Sequence, residues 1–219
     1  MAGPSGGRRS GLGRRIAPHV PEAGRVIAGT ARGIRLLAPG PGTRPLADRV
    51  KQTLFAILEP ELPGAVVLDL FAGSGAAGIE ALSRGAQSAV FVEKDAGAAR
   101  VIAENLRRTR LAGPRVAVVR GDVLRWLARD SASRPSFDIV LVDPPYSEGD
   151  LLNATLERLG GTGPGLLAAD ARVVAKHFWR GRPAARIGLL ASERERRFGE
   201  TALTFYRRIE GPLEIEEGE

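Results

Sequence analysis

The chain has 219 residues, enough for one sizeable core with an appendage, and 43% of them are hydrophobic, as in ordinary globular proteins. With no cysteine and 2 histidines, the composition excludes thiol catalysis, disulfides and cysteine-bound zinc, and we predict no metal site. The net charge of +7 lies in the first quarter of the chain, because residues 1–50 hold nine arginines against Glu22 and Asp48. A localised excess of arginine favours contact with a phosphate backbone.

The sequence contains no signal for a membrane. Its apolar runs all fall short of the roughly 20 residues that span a bilayer. The N-terminus has arginines but no apolar stretch of the kind found in secretory signals. We therefore expect a cytoplasmic protein without a membrane partner, and one that acts as a monomer.

Four segments follow from composition and pattern. Residues 1–22 are rich in Gly, Pro and Arg and predict a disordered, arginine-rich tail, and residues 211–219 predict a loose acidic tail. Residues 23–62 predict an appendage of a β-hairpin and a helix, and residues 63–210 predict the main domain.

In the appendage, short strands are predicted at Arg25–Gly29 and Gly33–Leu37. The spacing of Val50, Leu54 and Leu58 then indicates a helix over residues 45–59, with Asp48 as its N-cap.

From residue 65 onwards, apolar strands alternate with amphipathic helices. The predicted strands are Ala65–Phe71, Ser88–Val92, Arg115–Val119, Phe137–Val142 and Arg172–Ala175, and the predicted helices cover about 76–84, 96–110, 123–130 and 150–160. Unbroken apolar strands of this kind are typical of a parallel sheet covered on both faces. The segments Arg194–Phe198 and Ala202–Arg208 then predict an antiparallel hairpin around Gly199.

A glycine-rich turn joins the first of these strands to its helix. Gly73-Ser74-Gly75-Ala76-Ala77-Gly78 fits G-x-G-x-x-G, and Glu93 follows Gly73 by 20 residues at the end of the next strand. Such a loop lets the backbone approach a ligand at the free N–H groups of a helix start. A carboxylate at Glu93 would suit the ribose of either NAD or S-adenosyl-L-methionine (AdoMet), so the glycines alone leave both cofactors open.

Three further features favour AdoMet. Asp69 stands four residues before Gly73, as in the D-x-F-x-G-x-G motif of class I methyltransferases, and Phe71 occupies the aromatic position. Gly121-Asp122 closes the third strand, where an aspartate can bind the adenine amine, and Val123 follows it. The fourth strand ends in Asp143-Pro144-Pro145-Tyr146, a motif for which a dehydrogenase has no use.

That last motif suits methylation of an exocyclic amine on a nucleic-acid base. The lone pair of such an amine is delocalised into the ring, so the enzyme must accept hydrogen bonds from the amine and turn its lone pair towards the methyl group. Asp143 and the carbonyl of Pro144 supply two acceptors, and the two prolines fix φ and offer no competing N–H. Tyr146 can stack on a base that has been flipped out of its helix.

The sequence resembles the RsmD-type bacterial 16S ribosomal RNA guanine-N2 methyltransferases over residues 25–208. The likeness is carried by Arg25–Gly29, Thr43–Phe55, Asp69–Gly75, Glu80–Gly85, Val142–Tyr146 and Phe198–Tyr206. The resemblance implies an α/β, Rossmann-like class I methyltransferase fold, with a seven-stranded, mostly parallel sheet and an antiparallel C-terminal hairpin. It also implies AdoMet as methyl donor and a guanine in 16S rRNA, or in a small-subunit assembly intermediate, as target.

The motifs, the resemblance and the distribution of arginines together give three groups of candidate site residues. The catalytic group is Asp143, Pro144, Pro145 and Tyr146; the cofactor group is Asp69, Phe71, Gly73, Ser74, Gly75, Glu93, Asp122 and Val123; and the RNA-binding group is Arg25, Arg32, Arg44 and Arg49. The chain departs from the pattern at Lys176, where an acidic residue is expected.

Three alternatives remain at this point. The same local chemistry would serve an adenine-N6 methyltransferase acting on DNA or on another RNA. A non-catalytic RNA-binding protein that kept the fold, and an NAD-dependent oxidoreductase, represent different classes of function. The intact Asp143 and glycine loop argue against loss of catalysis, and an oxidoreductase would need a proton relay that the sequence does not offer.

Overall fold

The computed structural model describes residues 22–40, 47–129, 134–146, 149–161 and 166–209. The predicted tails lie outside these residues, apart from Glu22, and so does Arg44.

Ten strands and five α-helices make up the described chain. The strands are β1 (Glu22–Arg25), β2 (Arg35–Leu37), β3 (Val66–Leu70), β4 (Ser88–Glu93), β5 (Val116–Arg120), β6 (Phe137–Val142), β7 (Leu167–Phe178), β8 (Arg186–Ile187), β9 (Leu190–Phe198) and β10 (Thr201–Arg208). The helices are α1 (Asp48–Leu58), α2 (Ala76–Ser83), α3 (Ala96–Thr109), α4 (Val123–Leu127) and α5 (Gly149–Gly160), and a 3-10 turn at Glu59–Glu61 follows α1.

The main sheet has the strand order β5-β4-β3-β6-β7-β10-β9-β8. Strands β3 to β7 pair in parallel, and β7, β10, β9 and β8 pair antiparallel. A mostly parallel sheet with an antiparallel C-terminal hairpin is therefore confirmed. The sheet has eight strands where seven were expected, because the two residues of β8 pair with the start of β9 across a turn at Gly188, and a strand so short leaves no alternating pattern in the sequence.

The appendage differs from its prediction in detail. Its two strands pair antiparallel through Glu22–Arg25 and Arg35–Leu37, further from the turn than the sequence indicated, and the segment between them makes isolated hydrogen bonds instead of a continuous ladder. Asp48 was predicted as the N-cap of α1, and this is wrong: the cap position is Ala47, and Asp48 is the first helical residue. The carboxylate of Asp48 lies 3.6 Å from the Arg25 guanidinium instead.

One hydrophobic cluster lies on each face of the sheet. The first joins the appendage and helices α1, α2 and α3 to the sheet, through residues such as Leu36, Phe55, Ile79, Ile102 and Phe205. The second joins α4 and α5 to the other face, through residues such as Trp126 and Leu156. The appendage therefore shares its core with the main domain.

The carboxyl ends of the parallel strands meet at one edge of the sheet, where open α/β sheets bind their ligands. The chain leaves β3 through the glycine loop, β4 through Glu93, β5 through Asp122 and β6 through Asp143. The predicted motifs are thus brought to a single edge.

Candidate active site

The loop after β3 has the backbone geometry that its glycines predict. Gly73 and Gly75 have φ values of 56° and 76°, in the left-handed region, and Phe71 also has a positive φ of 61°. Gly75 is the N-cap of α2, and a Cβ there would lie 3.1 Å from Ile102. The loop therefore turns sharply against α3, with its backbone close to whatever the site holds.

Glu93 braces this loop from the end of β4. Its Oε2 accepts a hydrogen bond from the Gly73 N–H at 2.8 Å, and its Oε1 accepts one from the Asp95 N–H at 2.8 Å. Each carboxylate oxygen keeps a further acceptor position, so the residue can hold the loop and still accept from ribose hydroxyls.

Asp69 is enclosed behind the loop. Its Oδ2 accepts from the Gly78 N–H at 2.8 Å, and only 2% of the residue is exposed. Burial raises the pKa of Asp69 to about 8, and the carboxylates of Asp143 and Glu93 act in the same direction while the Gly78 hydrogen bond opposes them. A Cβ at Gly78 would fall 2.3 Å from the Phe91 ring, so the third glycine of the motif allows the close packing of helix on strand that brings its N–H to Asp69.

Asn105 connects the loop to the appendage. This fully buried side chain of α3 donates to the Ser74 carbonyl at 2.9 Å, and it pairs with both the N–H and the carbonyl of Leu37, at 2.8 and 3.0 Å. Ser74 is buried and contributes through this carbonyl. The position of the glycine loop is thereby tied to β2.

Asp122 and Val123 begin α4 at the end of β5. One carboxylate oxygen of Asp122 caps the helix by accepting from the Arg125 N–H at 3.0 Å, which leaves the second oxygen for a ligand amine. The Val123 side chain is buried in the second cluster, so only its backbone could meet the cofactor.

The turn after β6 is held by a cation. The Lys176 ammonium group on β7 forms a salt bridge and a hydrogen bond with Asp143 Oδ1, and it lies 4.8 Å from the centroid of the Tyr146 ring. Desolvation raises the pKa of Asp143, and Lys176 opposes that shift. The unexpected lysine therefore contacts two residues of the predicted catalytic motif, which sequence spacing alone did not indicate because Lys176 and Asp143 are 33 positions apart.

Tyr146 is 39% exposed, and no other large hydrophobic side chain in the described part of the chain is classed as exposed. Its hydroxyl lies 2.6 Å from Thr201 Oγ1 at the start of β10. Pro144 is buried and Pro145 is exposed. The tyrosine is thus fixed at its tip while its ring stays accessible for stacking.

A small cavity of about 40 Å³ lies between the glycine loop and this turn. Its polar lining consists of Asp69, Asp143 and Lys176, and apolar walls come from residues such as Leu54 on α1 and Leu203 on β10. A larger cavity of about 490 Å³ lies at the opposite edge of the sheet, near the 3-10 turn and Arg207. It contains none of the motif residues, so the smaller cavity is the candidate active site.

The predicted RNA-binding arginines divide by position. Arg25 is exposed and pairs with Asp48, whereas Arg32 and Arg49 are exposed on the hairpin turn and on α1. Arg25, Arg32 and Arg49 lie on the appendage and do not line the cavity. Arg44 falls outside the described residues.

Two buried charged groups where the appendage meets the main domain were not singled out from the sequence. Lys51 on α1 donates to the Arg25 carbonyl and lies 3.7 Å from Glu80 on α2, and Glu80 accepts from the N–H groups of Ile27 and Ala28 at 2.8 and 3.0 Å. Both residues lie in sequence blocks that resemble the RsmD-type family, and this was the available signal of their importance. They were not singled out because charged residues on amphipathic helices usually face solvent.

Comparison with known proteins decides the family. The family described as "Conserved hypothetical protein 95" matches residues 24–207. Ribosomal RNA small subunit methyltransferase D of Escherichia coli (strain K12) is 37% identical over 186 residues, which cover 84% of this chain and 89% of the relative. The chain belongs to the family of ribosomal RNA small subunit methyltransferase D. A proposed rRNA methyltransferase of Bacillus subtilis, YlbH, is 35% identical over 185 residues, covering 84% of this chain and 98% of that protein.

Solved structures agree with this family. A proposed methyltransferase of Escherichia coli, yhhF, matches with a TM-score of 0.73 at 35% identity, covering 84% of this chain and 97% of its own. A protein from Thermus thermophilus matches with a TM-score of 0.70 at 35% identity, over 83% and 97% of the two chains. A proposed SAM-dependent methyltransferase from Streptococcus mutans shares the fold, with a TM-score of 0.54 at 15% identity. The predicted Rossmann-like methyltransferase fold is confirmed.

Within the described residues, no helix combines the length and apolar character needed to cross a membrane. The same part of the chain contains no cluster of three or more His, Cys, Asp or Glu side chains suited to a metal ion.

Proposed function

We propose that this rRNA methyltransferase transfers a methyl group from AdoMet to the exocyclic N2 amine of a guanine in 16S rRNA. The observation that carries the proposal is the Asp143–Tyr146 turn, held by Lys176 and Thr201 beside the glycine loop. We propose 16S rRNA or a small-subunit assembly intermediate as its substrate, and the cytoplasm as the site of the reaction.

One protein that shares this fold is a proposed SAM-dependent methyltransferase, and another distant neighbour was determined with S-adenosylhomocysteine, the demethylated product of AdoMet. The residues of this chain fit it. The loop at Gly73–Gly75 brings backbone N–H groups to the helix start, Glu93 retains acceptor positions for the ribose, and Asp122 retains an oxygen for the adenine amine. When bound, AdoMet supplies an electrophilic methyl group.

The remaining chemistry belongs to the chain. We propose that Asp143 and the Pro144 carbonyl accept hydrogen bonds from the two amine hydrogens, so that the nitrogen lone pair points at the methyl carbon. Once the nitrogen has accepted the methyl group that AdoMet would supply, Asp143 would take up the proton that the nitrogen gives up. Because burial raises its pKa, Asp143 is a better proton acceptor than an exposed aspartate. Holding the amine in line in this way lowers the activation free energy by on the order of 7–11 kcal/mol in favourable cases.

Tyr146 would stack on the target base, which must leave its helix to reach the cavity. The local geometry suits any exocyclic amine. The choice of guanine is supported by the family resemblance of the Thr43–Phe55 and Phe198–Tyr206 blocks.

The test is methyl transfer from labelled AdoMet to small ribosomal subunits isolated from a strain that lacks the enzyme, followed by mass spectrometry of the nucleosides. We expect N2-methylguanosine at one site, with large subunits and the Asp143→Ala variant as controls. N6-methyladenosine in place of N2-methylguanosine would establish the alternative specificity. Unmodified RNA would overturn the proposed function.

A further inference from the structure

The ends of three C-terminal strands lie next to the catalytic turn. Strand β7 ends at Phe178, β9 ends at Phe198 and β10 begins at Thr201, which pairs with both phenylalanines. The hydroxyl groups of Thr201 and Tyr146 are 2.6 Å apart. A polynucleotide whose target base reaches Tyr146 must therefore pass close to this end of the hairpin.

A set of arginines occupies this end of the hairpin. We name Arg180, Arg194, Arg196 and Arg197 the arginine rim, and all four are exposed. In the part of the chain that the structure describes, no carboxylate lies within salt-bridge distance of any of them. Two of the nearby carboxylates are engaged elsewhere, because Glu193 pairs with Arg172 and Arg207, and Glu195 pairs with Arg182. Glu200 in the hairpin turn is exposed, so the rim sets four arginines against one free carboxylate and keeps an excess of positive charge.

Trp179 orders two members of the rim. The Arg197 guanidinium lies 3.6 Å from the indole centroid and the Arg180 guanidinium 4.8 Å from it. Arg197 also donates from Nε to the Gly199 carbonyl at 2.9 Å. Since Nε and the guanidinium plane are fixed, its terminal N–H groups remain for an external acceptor, and little side-chain entropy is left to lose on binding.

The strand register places the other two arginines on the face of the catalytic turn. Arg196 pairs with Leu203, which pairs with Lys176, so these three residues share one face of the sheet. Arg194 pairs with Phe205 on the same face. Arg194 and Arg196 therefore extend from the Lys176–Asp143 pair outwards along the hairpin, whereas Arg197, which pairs with Ala202, lies on the other face beside Trp179.

We infer that the arginine rim docks the phosphate backbone of the substrate RNA next to the flipped base. The inference rests on the proposed function and deepens it, because it assigns RNA contact to the C-terminal hairpin in addition to the appendage. Planar guanidinium groups recognise phosphates bidentately, and backbone contacts set the register of a nucleic acid without reading its sequence. Such contacts from both faces of this end of the hairpin, close to Tyr146, would fix which nucleotide can enter the cavity.

The test compares Arg196→Ala/Arg197→Ala with a control, Arg108→Ala/Arg115→Ala, which removes two exposed arginines from α3 and the amino end of β5. The measurements are affinity for unmethylated small ribosomal subunits as a function of salt, and affinity for AdoMet. For the rim variant we expect RNA binding weaker by about tenfold or more and a salt slope reduced by about 1 per lost phosphate contact. AdoMet affinity should stay unchanged, which also verifies the fold.

The results separate the two proposals. If the wild type methylates the subunits while the rim variant binds them with the affinity and salt slope of the control, the inference is overturned and the proposed function stands. A wild type that neither binds nor methylates the subunits would overturn both. The Arg197→Lys variant adds a second measurement: it keeps the charge but loses the planar stacking on Trp179, and we expect it to bind RNA less tightly than the wild type.

Discussion

Lys51 and Glu80 form an ion pair with almost no solvent exposure, with 3.7 Å between Nζ and Oε2 and 1% and 0% of the side chains accessible. Neither group is left without further partners. Lys51 donates to the Arg25 carbonyl, and Glu80 accepts from two backbone N–H groups and from Arg84. Desolvation lowers the pKa of Lys51, against the pull of Glu80, so the pair depends on its complete set of hydrogen bonds.

Removal of one partner of this ion pair should therefore destabilise the folded protein. We expect Glu80→Ala to lower the free energy of unfolding by about 3–5 kcal/mol, because it strands a buried ammonium group and two buried N–H groups. Urea denaturation followed by circular dichroism measures this. Glu104→Ala, which removes an exposed carboxylate paired with Arg107, is the control and should leave the free energy of unfolding almost unchanged. Equal effects for the two variants would contradict the assigned role of Glu80.

Asp143→Ala should abolish methyl transfer and leave AdoMet affinity within roughly tenfold, because the residue acts mainly in the transition state. Calorimetry with AdoMet and a single-turnover transfer assay measure the two quantities. Loss of AdoMet binding in step with activity would place Asp143 in the cofactor site instead.

Lys176 contacts Asp143 and the Tyr146 ring, and we propose that it acts by positioning them. We expect Lys176→Ala to reduce kcat by roughly 10–100-fold with little change in AdoMet affinity, because an Asp143 carboxylate that is out of position no longer orients the target amine. The pH profile of transfer should also shift to higher pH, because loss of the ammonium group raises the pKa of Asp143 further. Lys176→Arg should restore part of kcat and the original profile. A profile that does not move in Lys176→Ala would contradict this role.

Asp69 makes stability depend on pH. Its pKa is about 8 in the folded protein against an ordinary 3.8, so between these values the folded state retains a proton that the unfolded chain has released. Its contribution is fully present below about pH 4 and is lost as the pH rises towards 8. Asp69→Asn keeps an acceptor for the Gly78 N–H but cannot ionise. We expect the Tm of the wild type to fall relative to that of Asp69→Asn between pH 5 and pH 8. If the two Tm curves run parallel over this range, Asp69 does not make stability depend on pH.

Much of the site could be predicted because its residues belong to short, continuous sequence motifs. Gly73 and Gly75 must adopt positive φ, and Asp143 and Tyr146 sit in a four-residue motif after a strand, so each could be placed without knowledge of the rest of the fold. The order of strands and helices could likewise be predicted, because apolar strands alternate with amphipathic helices along the sequence.

What could not be predicted depends on contacts between distant segments. The contact of Lys176 with Asp143 arises from the pairing of β7 with β6, and Asn105 reaches Leu37 across 68 positions. Asp48 looked like a helix cap because capping residues are recognised by type and spacing, yet its partner is Arg25 on another element. The two-residue β8 exists only because β9 is beside it.

The side chain of Asn105, described above as a link between the glycine loop and β2, also bears on how the molecule unfolds. Because the appendage and the cofactor loop share this residue and one hydrophobic cluster, neither can melt while the other stays intact. Thermal denaturation should accordingly follow a single cooperative transition, and ligand that protects the loop should raise the midpoint for the entire chain.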